Sequence, residues 1–341
     1  MIEIDGSQGE GGGQVLRTAL CLSLVSGTPF RLVRIRARRS KPGLRRQHLV
    51  AVEAAAAVGS AQVAGARESS SELTFTPGPV RPGPYELKIG TAGSSTLVLQ
   101  TVVPALLCAG GPSTVAVEGG THNPLAPPWE FLERIWLPLV NRMGPRVTGK
   151  LVRHGFYPAG GGRVEVAVEP ARRLAPFELL ERGKVIAREA RAIVSSLPVH
   201  IARRELDVVR ERLGWPPEAL QPVEVAEPRG PGNAVVLIAR CEQGGEATSA
   251  IGERGVRAEE VAESAVKELL RWHEADVPVG EHLADQLLLL LALAGGGRFR
   301  ALGPLSGHAT TQIELIPRFL PVRIETRQEK ERVVDVRVLA A

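Results

Sequence analysis

Cysteine is scarce: Cys21, Cys108 and Cys241 are the only three in 341 residues, and they lie far apart. That spacing excludes a disulfide framework and any paired-cysteine zinc motif. Cys21 and Cys108 fall in apolar helical runs, where a small buried hydrophobe is expected. No apolar run approaches the roughly 18 residues of a bilayer span. The longest, near Leu287 to Ala294, is of core length, so no membrane association is expected. The opening Met1-Ile2-Glu3-Ile4-Asp5 has no basic start followed by an apolar stretch, so no signal peptide is expected and the expected setting is cytoplasmic. The 37 glycines and 26 prolines follow no period of three, which excludes collagen. A content of 44% hydrophobic and 23% charged residues excludes a disordered chain. The length suggests about two domains.

Acid is also missing locally. From Gly11 to Val52 there is no Asp or Glu, yet the stretch holds Arg17, Arg31, Arg34, Arg36, Arg38, Arg39, Lys41, Arg45 and Arg46. The overall charge of +5 is mild, and 36 of the 42 basic residues are arginine, which codon bias alone could produce. The one-signed block is more informative. It reads as a track for a polyanion or, alternatively, as a solvated basic face.

What is present is an internal repeat. An apolar helical run opens at Gly13-Gln14-Val15-Leu16 and stops at Gly27, and a strand follows from Phe30 to Ile35. The same order recurs from Gly93-Ser94-Ser95-Thr96 to Gly110-Gly111 with a strand at Thr114 to Val117, and from Glu281-His282-Leu283-Ala284 to Gly295 with a strand at Phe299 to Leu302. Glycine suits the left-handed end of each helix. Second helices are expected at Leu44–Val58, Pro128–Met143 and Thr311–Phe319, each followed by two strands. The fold expected is therefore α+β, an α/β sandwich of three βαβαββ repeats. The third is split by a smaller α+β insert over 181–275, leaving 1–180 plus 276–341 as the repeat domain. Within the insert, strands are expected at Val185–Ser195, Val223–Val225 and Ala234–Ile238, and helices at Val199–Leu213 and Ala258–His273.

The glycine-rich loop Gly9-Glu10-Gly11-Gly12-Gly13-Gln14 lies between a strand and a helix. It lacks the Gly-Lys-Ser/Thr of a Walker loop, and Gln14 stands where a dinucleotide motif needs its last glycine. It reads equally as a tight turn or as an anion cradle at a helix start. Glu10 is the odd residue, because a carboxylate beside phosphates makes sense with a divalent cation. Among seven histidines, His48, His122, His154, His200 and His273 stand in no motif, and structural or surface roles are expected for them. His308 differs, sitting on a small-residue turn, Ser306-Gly307-His308-Ala309-Thr310, just before a helix. No Ser-His-Asp or Cys-His order is readable.

Several blocks together carry a resemblance. Asp5 to Arg17 (DGSQGEGGGQVLR), Ile35 to His48 (IRARRSKPGLRRQH), Gly93 to Thr101, Gly120 to Pro128 (GTHNPLAPP), Arg153 to Gly162 (RHGFYPAGGG), Leu283 to Leu287 and Arg318 to Val322 strongly resemble the RNA 3′-terminal phosphate cyclase family. They cover most of the chain and are weakest in the insert.

The resemblance implies three repeats of the enolpyruvyl-transferase kind plus an inserted domain. It also implies a ligase-type enzyme that uses ATP, with Mg²⁺ or Mn²⁺, to turn an RNA 3′-phosphate end into a 2′,3′-cyclic phosphate. A histidine would first take AMP from ATP and release pyrophosphate; AMP would then pass to the RNA 3′-phosphate and leave as the ring closes. The nucleophile matches His308 and the metal carboxylate Glu10. Gln100, Pro127, Phe131, His282, Asp285 and Gln286 match the nucleotide pocket, joined by Glu10 and Gln14. Arg17, Arg36, Arg39 and Gln47 match the pocket for phosphate and the RNA end, where arginine forks fit phosphate geometry. His282 replaces the tyrosine that relatives often stack on adenine, and Ala309-Thr310-Thr311-Gln312 departs from the usual Leu-Thr-Asn-Ile. The insert helix bearing Arg203, Arg204, Arg210 and Arg212 could hold RNA or form a solvated face, and a homodimer is left open. Two other classes fit parts of the pattern, a non-catalytic RNA-binding factor and an enolpyruvyl-type transferase. Retention of both His308 and Glu10 separates the enzyme from the first.

Overall fold

The computed structural model describes residues 1–9 and 11–341, so the expectation for Glu10 lies outside the described residues. The first unit runs β1 (Ile2–Asp5), α1 (Gly13–Ser26), β2 (Phe30–Val33), α2 (Arg46–Gly59), β3 (Gln62–Ala64) and β4 (Leu73–Thr76). Its sheet is ordered β1-β2-β4-β3. The β1–β2 pair is parallel, as a helical crossover requires, and the other two pairs are antiparallel.

The second unit repeats that plan. It contains β5 (Pro84–Lys88), α3 (Ser95–Leu106), β6 (Ser113–Gly119), α4 (Trp129–Phe131), α5 (Leu137–Arg142), β7 (Arg146–Arg153) and β8 (Gly162–Glu169), with sheet order β5-β6-β8-β7. The single helix expected at Pro128–Met143 is divided by a π-helical turn, Leu132–Trp136. Pro138, at the start of α5, has no N–H to give to the turn before it.

The third unit opens with the two-residue β9 (Glu178–Leu179). Next come β10 (Val185–Ser195), α6 (His200–Leu213), β11 (Leu220–Glu224), β12 (Gly232–Cys241), β13 (Gly244–Ile251) and α7 (Ala258–Ala275). The unit then resumes with α8 (Glu281–Leu293), β14 (Gly297–Leu302), α9 (Gly307–Leu315), β15 (Val322–Lys330) and β16 (Val333–Ala340). Its order, β9-β14-β16-β15, is the same plan a third time. The repeat implied β5 and β9 without fixing their bounds, β9 being only two residues long, and β13, which opens on two glycines, was not expected. α9 begins earlier than the expected Thr311 because the Ser306 hydroxyl accepts from the Ala309 N–H (3.2 Å) and caps it.

Burial explains the layering. The middle of α1, from Leu20 to Leu24, and of α8, from Leu287 to Ala292, is buried without a break, so these helices run through the core with no solvent face. The fourth sheet, β11-β10-β12-β13, is also covered on both faces. Ala234, Val236 and Ile238 join the main core, while Val235, Leu237 and Ala239 join a second core with α6 and α7. Cys21 and Cys241 are buried, but Cys108 is exposed, because α3 ends at Leu106 and the thiol falls in the turn beyond it. No helix among the described residues is long and apolar enough to cross a membrane.

Candidate active site

The starts of α1, α3, α8 and α9 converge on one cavity of about 560 Å³. Its lining includes Gln14, Arg17, Gln100, Pro127, Phe131, His282, Asp285, Gln286 and His308. Of these helices α1 has no side-chain cap among the described residues, and an uncapped N-terminus with its positive dipole end suits an anion.

The floor is a relay of three side chains from three helices. Asp285 Oδ2 in α8 accepts a hydrogen bond from Gln14 Nε2 in α1 (2.8 Å), and Gln14 Oε1 faces His308 Nδ1 in α9. The amide orientation is thereby decided. With its NH₂ given to the carboxylate, Gln14 offers only an oxygen to His308, so Nδ1 carries the proton and donates. Nε2 is left with its lone pair. Burial, followed by the charges of Arg17, His282 and Arg39, pushes the His308 pKa down to about 4, so the ring is neutral near pH 7. Burial pushes Asp285 up to about 7, opposed by His282 and Arg17.

Arg17 lies one turn after Gly13 on α1, and burial lowers its pKa to about 10. A side chain at Gly13 would strike His48 Nε2 and Arg17 Nη1, so the close approach needs glycine. Gly9, at φ +58°, lies against Thr311 of α9, where a Cβ would overlap the hydroxyl. His48 is buried, and its Nδ1 accepts from the Arg45 N–H (3.0 Å) at the start of α2.

On the opposite wall, Gln100 Nε2 donates to Gln286 Oε1, and Gln286 Nε2 donates to the His282 carbonyl (3.1 Å). Thr96 Oγ1 donates to the Pro127 carbonyl (2.8 Å), and Phe131 is buried behind it. His282 Nε2 lies 3.3 Å from Glu268 Oε1, and that hydrogen bond pushes the imidazole up to about 9, a cation at neutral pH.

Arg36, Arg39 and Gln47 do not line the cavity. Arg36 donates to the carbonyls of Lys41 (2.7 Å) and Gly43 (3.0 Å), bracing its own loop. Arg39 is exposed on that loop, and its charge still reaches His308. Gln47 packs against Gly93. Part of the basic block finds acid from outside itself. Arg31 pairs with Glu3 (3.2 Å) and Glu72 (2.8 Å), Arg34 with Asp5 (Nε to Oδ1, 2.9 Å), and Arg45 with Glu68 (3.5 Å). Arg38, Arg39 and Lys41 remain exposed on the 36–43 loop.

No contribution from β13 and α7 was expected from the sequence. Glu260, Ser264 and Glu268 of α7 and Ala247, Ser249 and Ile251 of β13 also line the cavity. The signal was available as a polar stripe at spacing four on an amphipathic helix.

The family model for RNA 3′-terminal phosphate cyclase matches residues 8–326. The chain belongs to that family. It is 50% identical over 335 residues to an RNA 3′-terminal phosphate cyclase from Ectopseudomonas mendocina, covering 98% of this chain and 97% of the relative. It is 53% identical over 339 residues to a protein of the same name from Ralstonia nicotianae, covering 99% of this chain and 97% of the relative. A solved structure, the enolpyruvyl transferase NikO from Streptomyces tendae, aligns with TM-score 0.38 and 11% identity, covering 98% of this chain and 47% of that one. Membership bears out the expected family and, through the relatives' shared name, the expected class of enzyme.

Proposed function

We propose that this chain uses ATP to convert an RNA 3′-terminal phosphate into a 2′,3′-cyclic phosphate, acting in the cytoplasm. The observation that carries the reading is the relay Asp285–Gln14–His308, which leaves a neutral imidazole with a free Nε2 lone pair in a cavity beside Arg17. The volume lies within the roughly 300–1,000 Å³ usual for small-molecule sites.

In the first step His308 Nε2 attacks the α-phosphorus of ATP. The N–P bond forms as the bond to the bridging oxygen breaks, and pyrophosphate leaves. Gln14 Oε1 accepts from Nδ1–H and holds the ring, and the Asp285 group bonded to the Gln14 NH₂ polarises that amide, steadying the positive charge that develops on the imidazole. An oxygen of the RNA 3′-phosphate then attacks the same phosphorus and returns the electron pair to Nε2. Finally the neighbouring 2′-oxygen attacks the 3′-phosphorus, loses its proton to solvent and expels AMP. Arg17 is placed to bind phosphate oxygens, and Gln100, Pro127, Phe131, His282 and Gln286 to bound the nucleoside. Arg36, Arg39 and Gln47 remain the proposed track for the RNA end.

A divalent ion, Mg²⁺ or Mn²⁺, would neutralise phosphate charge. The proposed ligand is Glu10, the residue that matches the family's metal carboxylate. Residues 181–275 are read as an inserted domain that closes one wall of the nucleotide site.

The test uses ATP labelled at the α-phosphate, with metal and without RNA. Wild type should yield an acid-labile, alkali-stable protein–AMP adduct, and His308→Ala should yield none while keeping its far-ultraviolet dichroism. An adduct in the variant would move the nucleophile elsewhere. No adduct in either protein, with ATP bound, would favour a non-catalytic RNA-binding factor.

A further inference from the structure

A second cluster of side chains lies apart from the relay. His122, Glu130 and His154 each bring one ligand atom to within 4.8 Å of the others, the two imidazoles stacked with centroids 5.3 Å apart. His122 and Glu130 are fully buried, and His154 is half-buried at the end of β7. His122 Nε2 lies 2.8 Å from Glu130 Oε2. The three come from separate segments: the turn after β6, the start of α4 and the loop after β7.

Two observations point to a ligand. The first is Glu130 Oε1, which is buried and has no hydrogen-bond partner. Its nearest cation, Arg191 Nη1, stands 3.8 Å away, and that arginine is held by Glu189 through Nε (2.6 Å). A buried carboxylate oxygen left in this way is costly unless something binds it.

The second is the hydrogen-bonding pattern around Thr121. Its hydroxyl oxygen accepts from the Gly155 N–H (3.0 Å) and donates to the Gly155 carbonyl (3.4 Å). The same oxygen lies 2.8 Å from His122 Nδ1. Where Nδ1 carries the proton and donates to it, the Nε2 lone pair faces the Glu130 carboxylate, a pairing that a cation between them satisfies. A hydroxyl fixing the far nitrogen is also the outer support that metal-bound imidazoles use.

We propose that His122, Glu130 and His154 bind a divalent transition-metal ion of the zinc class, leaving a further coordination position open. Two imidazoles and one carboxylate suit Zn²⁺, whose bonds of about 2.0–2.1 Å place tetrahedral ligand atoms about 3.4 Å apart. The observed spread reaches that with sub-ångström to ångström shifts. Phe156, stacked on His122 (5.3 Å between centroids), walls one side. The ion would tie the turn that leads into Asn123 and Pro124, which line the active cavity, to the end of β7.

The experiment uses tag-free, chelator-stripped full-length protein titrated with Zn²⁺ against a chromogenic chelator, with Co²⁺ absorption as a second readout. One Zn²⁺ per chain is expected in the absence of ATP, with a raised melting temperature. His154→Ala should weaken Zn²⁺ binding at least about tenfold and remove the Co²⁺ band. Because His154 is only half-buried, its metal-free melt should match wild type, so the test stands even if Glu130→Gln misfolds. His308→Ala should bind Zn²⁺ as wild type does. No bound Zn²⁺ in wild type, unchanged binding in His154→Ala, or loss in His308→Ala as large as in His154→Ala would each overturn the proposal. The first outcome would leave a proton as the cation between His122 and Glu130.

Discussion

The three repeats start their first helix at equivalent places and finish those starts in three different ways. In the second, Ser94 precedes α3 and its hydroxyl accepts from the Leu97 N–H (3.2 Å), so the helix closes its own end. In the third, Gly280 precedes α8 and the buried Glu246 carboxyl group, brought by β13, is seated against it. In the first, Gly12 precedes α1 and no side chain among the described residues caps it. The same topology therefore yields a sealed end, an end covered from outside and an open one. The open end carries Gln14 and Arg17, and there the cavity meets His308. Duplicated architecture supplies the scaffold; what differs at the caps decides which helix start is left open.

The largest expected effect breaks the open end. Gln14→Ala removes the group that orients His308, and a misplaced nucleophile costs on the order of 10²-fold in rate. Rapid-quench measurement of the AMP adduct should show that loss, with ATP affinity by calorimetry changed less than about threefold. Equal losses in both would make Gln14 a binding residue and the relay incidental.

The covered and sealed ends should respond in stability. A Cβ at Gly280 overlaps Glu246 Oε2, so Gly280→Ala should cost about 1–3 kcal/mol in denaturant unfolding, partly recovered by adding Glu246→Ala. Ser94→Ala removes one cap and should cost about 1 kcal/mol without slowing adduct formation. If Ser94→Ala slowed the chemistry as Gln14→Ala does, the two ends would not differ in function.

The smallest expected effect concerns pH. His308 has its pKa lowered to about 4, so protonation begins only as pH falls toward that value. Between about pH 8 and about pH 5 the ring stays neutral, and Asp285 Oδ2 can accept from Gln14 whether or not Oδ1 holds a proton. Acylation of His308 by an imidazole reagent, followed by mass spectrometry, should vary less than about twofold over that range. A fall centred near the ordinary histidine value would show that burial is not governing the ring.

Some of this was legible without coordinates. The repeat could be read because each unit ends an apolar helix on glycine before a strand, and those are local signals. His308 stood out because small residues flank it, and Gln14 because it breaks a glycine run. The difficulties were local as well. Cys108 read as buried because the apolar run continues past Leu106, where the helix stops.

Other features depended on which distant residues meet. Gln14 reaches His308 across 294 positions and Asp285 across 271, a separation no periodicity encodes. The acid-free block looked like bare positive charge, yet Glu3, Asp5, Glu68 and Glu72 neutralise part of it in space. The polar stripe of α7 was visible, but not that it faces the cavity. The sequence by itself determined the repeat and nominated the candidate side chains, because these follow from short-range pattern and chemistry. Only the tertiary structure decided which starts are closed, which charges are paired and which histidine is held neutral, because burial and partnership are properties of packing between segments far apart in the chain.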